Sequence, residues 1–261
     1  MNIYRILLLA RRYLIGRFFK IEDSIDFAFW PLLDILVWGG AGLAMAKTGN
    51  SQQHLITLVC VVFIRVFLYS YFNNATNFLY EMMARNIINL FSTPLTFNEW
   101  LCGAMVSGFI STALLLVFAC VVTKAIFGIY LFSHGIGLLV FIMPLLISGW
   151  AISHATILIL MYFGVHAQRL AWVIGWIFIP FSGVYYSLEI MPAWIQMISH
   201  VVPMSYIFRA VRIFILEHRF SGDNLFFGYG LACIYFIITT FACNYMFERS
   251  RQLGLASLER S

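Results

Sequence analysis

The sequence predicts an all-α polytopic membrane protein: one transmembrane domain over residues 1–261, with six membrane-crossing helices. Three observations predict it. First, 62% of residues are hydrophobic and 10% charged, with a mean hydropathy of +0.89, whereas a soluble domain is about half apolar and a quarter charged. Second, the apolar residues fall into six runs near the ~20 residues needed to cross a ~30 Å hydrocarbon core at ~1.5 Å per residue. Third, the alternating pattern of a membrane barrel is absent, and a helix satisfies its own backbone groups in lipid.

The elements follow in order. In residues 1–24, Ile3, Leu7, Leu14 and Phe18 share a helical stripe, with Arg5, Arg12 and Lys20 roughly opposite. This predicts a basic amphipathic helix in the cytoplasmic interface; a basic topology anchor is the plainer alternative. The spans are Phe27–Ala46, Leu55–Phe72, Trp100–Phe127, Ile136–Phe163, Leu170–Tyr186 and Leu225–Phe247. The third and fourth are long enough to tilt or protrude, and the fifth is short.

Between spans two and three lies "EMMARNIINLFSTPL", residues 81–95. Glu81, Arg85 and Asn89 recur at i, i+4 and i+8, the spacing of one helix face. Pro94 ends the helix, because the residue before a proline resists helical angles. The expectation is a short amphipathic helix, too short to span.

Residues 188–224 are apolar but broken by Pro192, His200, Pro203, Arg209 and Arg212. No piece is long enough to cross. The expectation is an external re-entrant hairpin of two short helices. Non-helical backbone survives at membrane depth only where protein covers it or it lines a wet cavity.

Orientation follows the excess of Lys and Arg in cytoplasmic loops. One side collects Arg5, Arg11, Arg12, Arg17, Lys20, Arg85, Arg169, Arg249, Arg251 and Arg260; the other collects Lys47, Lys124, Arg209, Arg212 and Arg219. This places both termini in the cytoplasm. The net charge of +5 fits a membrane surface rather than nucleic acid.

Several chemistries find no motif. There is no G-x-x-x-x-G-K-[ST] phosphate loop, G-x-S-x-G elbow or H-E-x-x-H. The five cysteines lie in apolar runs without metal-ligand spacing. Ser153 and His154 are adjacent, so on a helix they point apart. Two ionisable residues lie within spans: Asp34 in the first and Arg65 in the second. At ~1.5 Å per residue both stand ~10 Å from the cytoplasmic end, and an unpaired charge there is costly. A salt bridge is the plain reading; a gate or substrate contact is the functional one.

The stretch "LFSTPLTFNEWLCGAMVSG" after a cytoplasmic helix, followed by "FSGVYYSLEIMPAWIQMISHVVPMSYIFRAVR", resembles the permease subunits of type-2 ATP-binding-cassette exporters. The resemblance covers nearly the whole chain. Ser182, Gly183, Pro192, Pro203 and Arg209 stand at family-like places, while Ser187 replaces a frequent proline. The hairpin set implied is Ser182, Gly183, Glu189, Pro192, Trp194, Pro203 and Arg209. The resemblance implies that residues 81–95 form the coupling helix, with Glu81, Arg85, Asn86, Asn89, Leu90, Ser92 and Pro94 facing the ATPase. It also implies a second permease copy, two cytoplasmic ATPase subunits that carry the ATP and Mg, no cofactor in this chain, and a bacterial inner-membrane location. A dimer contact is expected along spans one, two and five. Substrates of the family include polysaccharides, glycolipids, lipids and drugs. Two alternatives stay open: an autonomous channel or ion-coupled transporter using Asp34 and Arg65, and an intramembrane enzyme.

Overall fold

A computed structural model describes residues 2–19, 21–47, 51–132 and 135–252. Lys20 and Arg260, used in the orientation argument, lie outside them. Among the described residues, eleven α-helices follow one another: α1 Ile3–Phe19, α2 Ile21–Lys47, α3 Ser51–Met83, α4 Ile87–Ser92, α5 Phe97–Phe127, α6 Ile142–Phe163, α7 Gln168–Ile177, α8 Ile179–Ser182, α9 Ala193–Ser199, α10 Pro203–Glu217 and α11 Gly222–Gln252. Among the described residues there is no strand.

The stretches long and apolar enough to cross a membrane are Ser24–Ala44, Gln53–Met83, Phe97–Phe127, Ile136–Ser182 and Gly222–Gln252. The fourth holds two passes, because the core divides lengthwise into two clusters. One end gathers Ile35, Ile56, Ala119, Phe141, Ile179 and Phe214. The other gathers Leu9, Met82, Ile87, Phe97, Met161, Ala171 and Phe247. α6 therefore runs from the first end to the second, and α7–α8 returns. Six passes result, with α1, α4 and the close of α11 at the second end.

α3 is the axis of the bundle: 83% of its apolar stretch is buried. Its neighbours approach through small residues, as lipid-embedded helices must when no hydrophobic drive joins them. A Cβ on Gly149 of α6 would fall 1.7 Å from Ser70 Oγ, and one on Gly108 of α5 would fall 3.1 Å from Asn73 Nδ2. Asn73 Nδ2 also donates to the Ala104 carbonyl at 2.8 Å.

The structure corrects three expectations. The second span does not stop near Phe72 but continues as helix to Met83, since Asn73 and Asn74 are buried. The predicted helix over 81–95 is broken: Glu81 belongs to α3, Arg85 has φ +50° in the following turn, and α4 covers only Ile87–Ser92. Glu81, Arg85 and Asn89 therefore share no helix face. And α3, being buried within its own chain, offers little surface to a second copy. Exposed apolar faces lie on α2, with Trp30, Leu36 and Val37, on α7, with Leu170, Val173 and Ile177, and also on α5, with Val117 and Val121, and α11, with Ile237 and Phe241.

The segment after α8 leaves and returns at the first end. α9 and α10 meet at a bend of 97°. Pro203 starts α10 at a position where its missing N–H costs nothing.

Candidate functional site

α4 has six residues, too few to be stable alone. Ile87 is buried at its start, and Phe91 packs against Phe247 with ring centres 4.6 Å apart. The helix leaves Ile88, Asn89 and Ser92 facing outward, with Arg85 and Pro94 exposed beside it and Leu90 half-buried. Ser92 Oγ and Thr93 Oγ1 donate to the carbonyls of Ile88 and Leu90.

Glu81 is the root of this element. Its carboxylate accepts from Arg12 Nη2 at 2.8 Å, from Tyr13 Oη at 3.1 Å and from Asn86 Nδ2 at 2.5 Å. The Asn86 N–H donates to the Glu81 carbonyl, and the Leu90 N–H to the Asn86 carbonyl, both at 2.9 Å. Burial first, and the Glu81 charge second, push the Tyr13 hydroxyl well above its ordinary range, so it stays protonated as a donor. Trp100 Nε1 in turn donates to Tyr13 Oη at 2.6 Å.

Glu99 makes a second anchor. Thr96 caps α5 in a reciprocal box with it, at 3.3 and 3.0 Å. Its carboxylate also accepts the Asn2 N–H at 2.6 Å and pairs with Arg5, which donates to the Pro94 carbonyl. The basic residues of α1 thus clasp the frame of α4. α1 buries Ile6, Leu9 and Ala10, and a Cβ on Gly103 of α5 would meet Leu9 Cβ at 2.8 Å. Glu99 was missed from the sequence, although Thr96-x-x-Glu99 is a capping-box signature.

Asp34 and Arg65 meet as expected: Arg65 Nε donates to Asp34 Oδ2, joining α2 to α3. Arg65 also lies 5.6 Å from the Trp176 ring centre on α7.

A groove of about 620 Å³ opens between α1, α2, α3 and α7. On α3 it runs from Arg65 to Glu81, roughly 24 Å at ~1.5 Å per residue. Arg12 and Arg17 stand at its α1 wall, and Trp30, Trp172 and Trp176 supply aromatic walls.

At the opposite end, Gly183 adopts φ +68°, a left-handed conformation that glycine takes without strain. Ser182 Oγ donates to the Ile179 carbonyl at 2.7 Å and accepts the Val184 N–H at 3.3 Å. Arg212 of α10 donates to the Gly183 and Val184 carbonyls. The expected Arg209 is exposed instead, so Arg212 is the hairpin's clamp. Trp194 packs edge-on against Phe181, and Glu189 and Pro192 are exposed.

The model of a family described as ABC-2 type transporter matches residues 7–216, from within α1 to the end of α10. No curated protein matches the chain.

Proposed function

The chain belongs to the ABC-2 type transporter family and is a transmembrane subunit of such a transporter; from that premise we propose that it forms the export pathway together with a second permease copy, driven by two cytoplasmic ATPase subunits. The family contributes the membrane component, and its transporters work with ATP-binding-cassette ATPases. ATP and Mg would then be handled on the partner. The setting we propose is a bacterial inner membrane with both termini cytoplasmic, in keeping with the excess of Arg and Lys at the α1–α4 end.

One observation carries the reading. α4 presents Asn89 and Ser92 outward at the end of the bundle where α1 and the close of α11 gather, while Glu81 and Glu99 bolt its base to three helices. A short helix that must pass force between a soluble partner and a bundle needs a polar outer face and a rigid root. Ile87 and Phe91 supply the apolar anchor. For the second copy, we take the exposed apolar faces of α2 and α7, the first and fifth passes, as the contact, although α5 and α11 expose apolar faces as well. The buried, paired geometry of Asp34 and Arg65 favours a structural bridge over an ion-coupling pair.

The test is co-purification and export with Arg85→Glu. A reversed charge in a fitted cleft can cost several kcal/mol, so the variant should insert normally yet lose ATPase retention and export. Full retention and full export would overturn the docking of α4.

A further inference from the structure

We propose that ordered water is bound deep in the bundle, in a polar layer that α3, α5 and α6 share between the two apolar cores, and that this layer is the joint along which the cores shift during transport. The water site stands on the geometry alone, whereas the joint rests on the reading of the chain as a transporter subunit.

The layer is written into three helices at one height. On α3 the buried members of the first core end at Leu68 and those of the second begin at Phe78, with Asn73 and Asn74 between. On α5 the cores are separated by the stretch from Leu101 to Ala119, which holds Ser107 and Ser111. On α6 the stretch from Leu146 to Ile157 holds Ser153 and His154. All six residues are fully buried. Asn73 lies against Gly108 of α5 and donates to the Ala104 carbonyl at 2.8 Å. Ser70 lies against Gly149 of α6. Both α3 and α6 run toward the second core, so one turn further on Asn74 and Ser153 stand level.

Each of the six carries a polar atom with no hydrogen-bond partner among the described residues: Asn73 Oδ1, Asn74 Nδ2, Ser107 Oγ, Ser111 Oγ, Ser153 Oγ and His154 Nε2. Hydrocarbon offers no partner at this depth, and burying such groups unpaired is costly. A buried helical serine can donate to the carbonyl four residues back, as Ser148 does to Pro144 at 2.7 Å. Ser107, Ser111 and Ser153 do not. His154 shares a hydrogen bond through Nδ1 with Thr240 of α11 at 2.9 Å, which leaves its second nitrogen for another partner.

The mixture of groups selects the ligand. An amide nitrogen only donates, an amide oxygen only accepts, and a hydroxyl does both. A cation would meet the Asn74 N–H groups, and an anion the Asn73 oxygen. Water donates and accepts, and a buried water typically makes ~3 hydrogen bonds to such groups. The serines and glycines of the layer also leave more space between helices than the leucines and phenylalanines on either side. Interlocked apolar side chains resist sliding. A water-bonded layer can exchange partners while the cores above and below it move as bodies.

The experiment is water-edited solid-state NMR of the full labelled chain in phosphatidylcholine bilayers, which follows magnetisation from water protons to individual sites. The side-chain amides of Asn73 and Asn74 should receive it well ahead of the backbone amide of Val66, in the first core. Ser107→Ala or Ser153→Ala removes one of the ~3 partners of a buried water and should about halve that transfer. Ser148→Ala, whose hydroxyl is satisfied within its own helix, should leave it unchanged. Unfolding midpoints give the sign. Deleting a serine that holds water should lower the midpoint, whereas deleting an unpaired hydroxyl from a dry core raises it. Asparagine amides that build up no faster than Val66, or serine variants that raise the midpoint or leave it unchanged, overturn the water site. Ser111→Leu fills the layer and should slow export while the ATPase stays bound; Ser111→Val is the smaller substitute if leucine unfolds the chain. Export at the parent's rate from a chain whose asparagine amides have lost their water signal overturns the joint. Retention of the ATPase by the parent chain, scored in the same preparations, tests the transporter reading separately.

Discussion

Arg65 of α3 donates from Nε to the carboxylate of Asp34 on α2, and both side chains are buried. The contact fixes the register of the first span against the central one. It also closes the deep end of the groove, since Arg65 reaches Trp176 of α7 as well.

Breaking that pair from one side should be costly. Asp34→Asn or Arg65→Gln leaves an uncompensated buried charge, a loss of about 3–5 kcal/mol. The exchange Asp34→Arg with Arg65→Asp should restore part of the stability and of the export. Thermal unfolding in nanodiscs measures it. Single variants as stable as the parent, with no gain from the exchange, would show that the bridge is not formed.

Arg85 separates backbone from charge. Its φ of +50° costs an L-residue roughly 1–2 kcal/mol, a strain that glycine does not feel. Arg85→Gly should therefore leave stability unchanged or raise it by up to ~1 kcal/mol. Arg85→Val, β-branched at a left-handed position, should lower it by about 1–3 kcal/mol. Unfolding midpoints decide. If valine is tolerated as well as glycine, the turn is not left-handed.

Gly149 and Gly40 make a contrasting pair. A Cβ on Gly149 would lie 1.7 Å from Ser70 Oγ and 2.7 Å from the Phe67 carbonyl, while Gly40 has nothing within 4 Å. Gly149→Ala should cost about 1–3 kcal/mol or more by overpacking. Ser70→Gly should not rescue it, because the backbone carbonyl remains in the way. Gly40→Ala should be neutral or gain up to ~1 kcal/mol of helix propensity. Equal behaviour of the two alanine variants would refute the close approach of α3 and α6.

Much of the architecture was legible before the structure. Apolar run length gave the passes, and Pro192 and Pro203 marked the hairpin. The errors share one cause. Asn73, Asn74 and Asn77 look like the polar end of a span, and pattern alone cannot tell a buried asparagine bonded to Ala104 from a solvated one. The end of α3 was therefore placed too early, and Glu81, its last inward-facing acid, was assigned to the wrong helix. Arg212 was passed over for Arg209 for a similar reason: three residues apart on a helix, they differ only in what faces them, and the Gly183 and Val184 carbonyls belong to a distant segment. The clasp of α1 on Glu81 and Glu99 was likewise hidden, because its partners are about 70 to 100 residues apart.

The clamp at Arg212 gives the last prediction. Its guanidinium reaches two carbonyls of the turn after α8, at 2.5 Å for Gly183 and 3.2 Å for Val184, and so ties the hairpin to the exit of the fifth pass. Hydrogen bonds from a charged donor are worth about 1.5–3 kcal/mol each when their partners would otherwise be stranded. Arg212→Met keeps the apolar stem and removes both. It should lower the unfolding midpoint and expose a cysteine placed at Ser187 to a thiol reagent. Arg212→Lys should recover only part, because an ammonium lacks the planar fork that serves two acceptors. Arg209→Met, on the exposed side of the same helix, should change stability by no more than ~0.5 kcal/mol. If Arg209→Met is the damaging change and Arg212→Met is silent, the hairpin is held by contacts other than these two carbonyls.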